Sequence, residues 1–135
     1  MNSDGSGQRQ LGDSGVIGHF LRWTREGDAV IYRSPRGGDP RAVRHSFDGT
    51  VEVLPEVAGG AHMSLSPHHT RIMDVVGHKV LWVSPLDGGT PEKIFEFDDP
   101  DTRIDYPVWS PDGRWILFDR FSPQGGDIWM MENFE

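Results

Sequence analysis

The sequence has no cysteine, few tyrosines and no apolar stretch long enough to cross a bilayer as a helix. Missing thiols exclude disulfides and cysteine-based zinc sites, while leaving the redox compartment open. The first ten residues are polar and rich in Gly and Ser, without the apolar core of a signal peptide. As written, the chain is therefore expected to stay in the cytoplasm and not to insert into a membrane. Basic residues are also scarce, 13 against 21 acidic, for a formal net charge of -8. A nucleic-acid partner is not expected, because phosphate backbones are held by a basic face. No Gly-x-Ser-x-Gly elbow occurs, which removes the usual signature of an α/β-hydrolase nucleophile. Long helices are disfavoured by 17 Gly and 10 Pro in 135 residues, a composition that suits short strands and turns.

What is present is a repeated turn. Tyr106-Pro107-Val108-Trp109 enters Ser110-Pro111-Asp112-Gly113, and Trp115-Ile116-Leu117-Phe118 leaves it. Pro presets φ, Asp can accept from its own backbone, and Gly supplies positive φ, so the stretch reads as a β-hairpin. Weaker copies lie upstream. Placing Trp23, Leu65 and Trp109 in register gives spacings of about 42 and about 44 residues, in the range of four-stranded propeller blades. Thr24, Ser66 and Ser110 then follow the anchor, and Val30, Ile72 and Ile116 fall in the next strand. The units run over residues 19–58, 59–102 and 103–135, after a leader at 1–18 that holds a candidate outer strand near 8–12. The expected fold is all-β: three four-stranded propeller blades, the last lacking its outer strand.

The run from Pro107 to Phe118, followed by Gly125-Gly126-Asp127-Ile128-Trp129, resembles the WD40-like Pro-Asp repeat of TolB-type β-propellers. The first unit keeps Trp23 and Gly27 but has Thr24-Arg25-Glu26 in place of Ser-Pro-Asp. The second keeps Ser66-Pro67 but has His68-His69 in place of Asp-Gly. The resemblance covers residues 19–135 and implies half of a six-bladed ring. An arc of three blades leaves two apolar faces open, so either the chain is part of a longer one or a second copy closes the ring as a homodimer. In that pair the leader would supply the missing outer strand by strand addition. The resemblance further implies a non-catalytic module that binds a protein or peptide, in the periplasm if the chain is a piece of an exported TolB-like protein. Alternatives within the same resemblance are the propeller fragment of a prolyl-oligopeptidase-like peptidase and a metal-dependent propeller lyase.

No catalytic residues are expected. Ligands of propellers commonly meet the ring near its axis, where the innermost strands begin. By register those strands start at His19-Phe20, Ala61-His62 and Asp105-Tyr106, so His19, Phe20, His62, Asp105 and Tyr106 are the candidate binding rim. His62, His68, His69 and His78 are the densest histidines, but adjacent turn residues such as His68 and His69 point apart and make poor metal ligands. Asp98, Asp99 and Asp101 surround Pro100 in an acidic connector where a hard divalent cation could find oxygens, although the spacing is not that of an EF-hand. No cofactor or metal is expected. Gly12-Asp13-Ser14-Gly15 has the local look of a serine-protease nucleophile without a double-barrel framework around it, and is expected to be a loop. The tryptophans are expected between blades, with Trp115 the one exposed enough to meet a partner.

Overall fold

The computed structural model describes residues 3–11, 17–34, 41–55, 60–122 and 125–132. These form three antiparallel sheets, without a helix among the described residues. The first sheet contains β1 (Ile17–Trp23), β2 (Ala29–Ser34), β3 (Arg41–Ser46) and β4 (Val51–Val53), in that order. The second contains β5 (Gly60–Leu65), β6 (Arg71–Val76), β7 (Val80–Pro85) and β8 (Glu92–Glu96). The third has β9 (Arg103–Trp109), β10 (Trp115–Ser122) and β11 (Gly125–Glu132). These are three propeller blades. The innermost strands are β1, β5 and β9, since β5 packs against both of the others.

The hairpin turns show why the repeat takes this form. Trp23 faces Val30, Leu65 faces Ile72 and Trp109 faces Ile116 across the first hairpin of each blade. In each turn one hydroxyl residue closes the loop with its backbone N–H, which donates to Ala29, Arg71 or Trp115. Its side-chain oxygen then accepts from the backbone N–H of the same residue: Ala29 to Thr24 at 3.1 Å, Arg71 to Ser66 at 3.2 Å and Trp115 to Ser110 at 2.9 Å. The third residue after the hydroxyl is left-handed in all three, at Gly27 (φ 72), His69 (φ 55) and Gly113 (φ 74). Histidine at that place carries a Cβ penalty that glycine does not.

Two apolar clusters hold the blades side by side. Ile31, Ala42, Leu54, Met63, Leu65 and Ile72 pack between the first and second blades. Met73, Val75, Leu81, Ile104, Ile116 and Phe118 pack between the second and third. Each side chain as fully buried as Ile72 contributes about 1.5–3 kcal/mol. The interfaces thus fix the relative placement of β1, β5 and β9.

Residues 8–11 are not in a strand in the single chain and lie along the open face of the first blade. There Arg9 and Leu11 share a groove of about 360 Å³ with Leu21, Trp23 and Val30. Nor is Trp115 the most exposed tryptophan. It is half-buried, whereas Trp23 is 63% and Trp129 44% exposed, because they stand on faces where a neighbouring blade would pack. Gly12-Asp13-Ser14-Gly15 lies outside the described residues.

Candidate functional site at the inner strands

Phe20, His62 and Tyr106 occupy one position of the repeat, each three residues before the anchor Trp23, Leu65 or Trp109. Blade packing brings the three together. Phe20 meets His62 edge-on with ring centres 4.8 Å apart, His62 meets Tyr106 at 4.6 Å, and Phe20 and Tyr106 lie 6.5 Å apart. The strands are irregular here. The β1–β2 register shifts between Ile17 and Arg22, the β5–β6 register between Gly60 and His62, and the β9–β10 register between Leu117 and Asp119. Such bulges re-aim side chains and are frequent beside functional sites. Phe20 (φ 70) and Tyr106 (φ 46) are left-handed, a sparsely populated conformation for aromatic residues. Pro107 follows Tyr106 without a backbone N–H, so the bulge has one donor fewer to satisfy.

Asp105 is the polar centre. Its Oδ1 lies 2.9 Å from His62 Nε2 and 2.6 Å from His78 Nδ1. The His62 and His78 rings are themselves 5.7 Å apart. His78 comes from the turn after β6, left-handed at both Gly77 (φ 59) and His78 (φ 58). The His78 carbonyl accepts from Ile104 N–H at 2.9 Å, which ties this turn to β9. The backbone N–H of Asp105 donates to Asp119 Oδ1 on β10 at 2.8 Å. Side-chain exposure is 13% for His62, 16% for Asp105 and 38% for His78, so the cluster is fixed by its neighbours yet open to solvent.

Phe20, His62, Asp105 and Tyr106 of the predicted rim thus converge. His19 lies in β1, but its side chain is outside the described residues. Sequence register missed His78 and Asp119, because each reaches the cluster from a second strand or its turn rather than from the start of an innermost strand. The only signal for His78 was its place among the dense histidines. His68 and His69 stay on their turn, away from this group.

The acidic connector has a different arrangement. The Lys79 ammonium donates to the carbonyls of Asp99, Pro100 and Thr102, the kind of oxygens a hard cation would seek. The Asp99 carboxylate accepts from Thr102 Oγ1 at 2.6 Å and from Asp101 N–H at 2.9 Å. The Thr102 hydroxyl, with the Asp101 backbone N–H next, holds the Asp99 carboxyl below the usual carboxylate range. Asp98 and Asp101 are exposed.

No protein-family model matches the sequence, and no curated protein matches it. Solved structures do. TolB from Acinetobacter baumannii superposes with a TM-score of 0.64 at 23% identity, covering 83% of this chain and 29% of its own. Oligogalacturonate lyase from Vibrio parahaemolyticus gives 0.63 at 13% identity, over 76% of this chain and 28% of its own. A propeller in a nidogen/laminin complex gives 0.63 at 14%, over 83% and 43%. The chain therefore has the fold of a TolB-like β-propeller segment and spans less than half of each of these proteins.

Proposed function

We propose that the chain is a non-catalytic propeller module that recognises a protein or peptide segment at the inner-strand cluster. One observation carries this reading: Phe20, His62 and Tyr106, equivalent in the repeat, converge from three blades on a bulged, partly open surface. Aromatic rings beside a carboxylate suit a peptide, since the rings supply rigid contact area and Asp105 an acceptor for a backbone or cationic donor. The TolB and nidogen/laminin structures lend support at the level of fold, the second being itself a complex between proteins. Selection of displayed peptides on the immobilised chain tests the reading. Enriched peptides should lose at least about tenfold in affinity on Tyr106→Ala, roughly the 1.4 kcal/mol of one modest anchor. Peptides that bind the wild type and Tyr106→Ala equally well would overturn it.

The open faces belong to the same proposal. Leu21 and Trp23 stand on one, and Val108, Leu117 and Met130 on the other. Adjoining blades or a second copy would cover them. Sedimentation of the isolated chain separates the two: a dimer supports the closed pair, and a monomer ends it.

A catalytic reading has one specific observation in its favour, two imidazoles facing one carboxylate in a fold shared with a lyase. Incubation with oligogalacturonate, followed by absorbance of an unsaturated product, tests it. Turnover lost in His62→Ala would replace the binding reading, and no turnover would leave it in place.

A further inference from the structure

We propose that His62 Nε2, His78 Nδ1 and Asp105 Oδ1 form a binding site for one divalent transition-metal ion. Among the described residues these three are the one group of His, Asp or Glu side chains placed to hold an ion together, with ligand atoms all within 4.8 Å of one another. Metal–nitrogen and metal–oxygen bonds of about 2.0–2.2 Å put neighbouring ligand atoms about 3 Å apart in an octahedral sphere and slightly further in a tetrahedral one. The two imidazole-to-carboxylate distances, 2.9 and 2.6 Å, are close to that spacing, and the two imidazole nitrogens, within 4.8 Å of each other, would close onto one ion by rotation of the more exposed His78 side chain.

The frame around the ligands is already ordered. The His62 ring stands between Phe20 and Tyr106, which fix its plane. Asp119 holds the Asp105 backbone, and the Ile104 N–H holds the His78 carbonyl. Outer contacts of this kind orient ligands and raise affinity. Two blades contribute: His62 and His78 belong to the second, Asp105 to the third. An ion there would clasp that joint.

The donor set decides the class of ion. Two imidazoles and one carboxylate favour zinc, cobalt, nickel or iron(II) over calcium and magnesium, which seek oxygen cages. Three protein ligands leave coordination positions for water or for a ligand from outside, as in catalytic rather than structural sites. The partial exposure of His78 gives the ion a way in. The site shares its place with the proposed recognition surface but does not depend on peptide recognition.

Titration of the untagged full chain with cobalt(II) alone, read by visible absorbance and calorimetry, tests the proposal. One ion per chain is expected, displaceable by zinc. His62→Ala and Asp105→Asn should each weaken binding by more than the 10- to 100-fold typical of losing an outer partner, and Asp119→Asn by about 10-fold. Asp105→Asn keeps the shape of the side chain, and circular dichroism checks that each variant is folded. His68→Ala with His69→Ala should leave binding unchanged. Absence of stoichiometric binding, or binding kept in His62→Ala and lost in the His68/His69 variant, overturns the proposal. Because the probe is the ion alone, failure here leaves peptide binding at Tyr106 untouched, and failure of peptide binding leaves the ion site.

Discussion

Among the described residues, two charged contacts, one at each blade interface, differ in almost every physical respect. Between the first and second blades, Arg33 on β2 pairs with Asp74 on β6, both sealed from water at 3% and 0% side-chain exposure. Between the second and third, His62 and His78 meet Asp105 in a cluster that solvent reaches. The sealed pair is committed to its surroundings: charges so deep persist only where fixed partners compensate them. The open one uses groups that can exchange a hydrogen bond for a ligand at little cost in desolvation. Burial, more than charge, thus separates a joint that fixes blade geometry from one that can report or bind.

Removing one member of the sealed pair should have the largest effect. Asp74→Ala leaves the Arg33 guanidinium buried without its carboxylate and is expected to cost about 3–5 kcal/mol in urea unfolding, whereas Asp105→Ala, whose histidine partners are partly open to water, should cost about 1–2 kcal/mol. Equal losses at the two positions would erase the contrast. Gly60→Ala comes next. Its Cβ would sit 2.7 Å from both Arg33 Nη2 and Asp74 Oδ1 and 2.9 Å from Asp74 Cβ, so the pair must shift at a cost of about 1–3 kcal/mol. A thermal melt unchanged by this substitution would show that the sealed joint has more slack than its packing suggests.

The second blade takes part in both joints, and its first hairpin is strained at His69. His69→Gly relieves a left-handed histidine and should raise stability by about 1 kcal/mol, the usual difference at such a position, without disturbing cobalt binding at the open joint. A fall in stability would mean that the His69 side chain contributes packing that outweighs the strain.

The smallest effect is acid sensitivity. The Ser110 hydroxyl, with the Arg114 N–H next, holds the Asp112 carboxyl below the ordinary aspartate range. Thr24 does the same to Asp28, at a different place in the first hairpin, while the second hairpin from Ser66 to Arg71 has no acid. A folded-state pKa below the unfolded one means stability that is present near neutrality. It is lost as pH falls through the ordinary aspartate range toward the lowered folded values. Asp112→Asn with Asp28→Asn should flatten that limb of a stability-against-pH curve. An unchanged limb would assign the acid loss to other carboxylates.

Much of the fold was legible because hairpin chemistry is local. The hydroxyl residues Thr24, Ser66 and Ser110 and the facing pairs from Trp23–Val30 to Trp109–Ile116 were fixed by a spacing that any four-stranded blade must repeat. Convergence of Phe20, His62, Asp105 and Tyr106 followed from the same register. Singling out Trp115 as the exposed tryptophan passed over Trp23 and Trp129, since burial of a blade face depends on what stands beside it and not on the residue. His78 and the Arg33–Asp74 pair were missed for a related reason. Arg33 and Asp74 are 41 positions apart and meet only because two blades pack face to face.

The sequence by itself determined the turns, the strand pairing within each blade and the starting points of the inner strands, all governed by contacts a few residues apart. Only the tertiary structure decided which charges were sealed and which stayed open. That choice depends on the packing of one blade against the next, on the bulges in β1, β5 and β9, and on the turn that delivers His78 to Asp105. Desolvation is a property of the assembled surroundings, which no single stretch of chain contains.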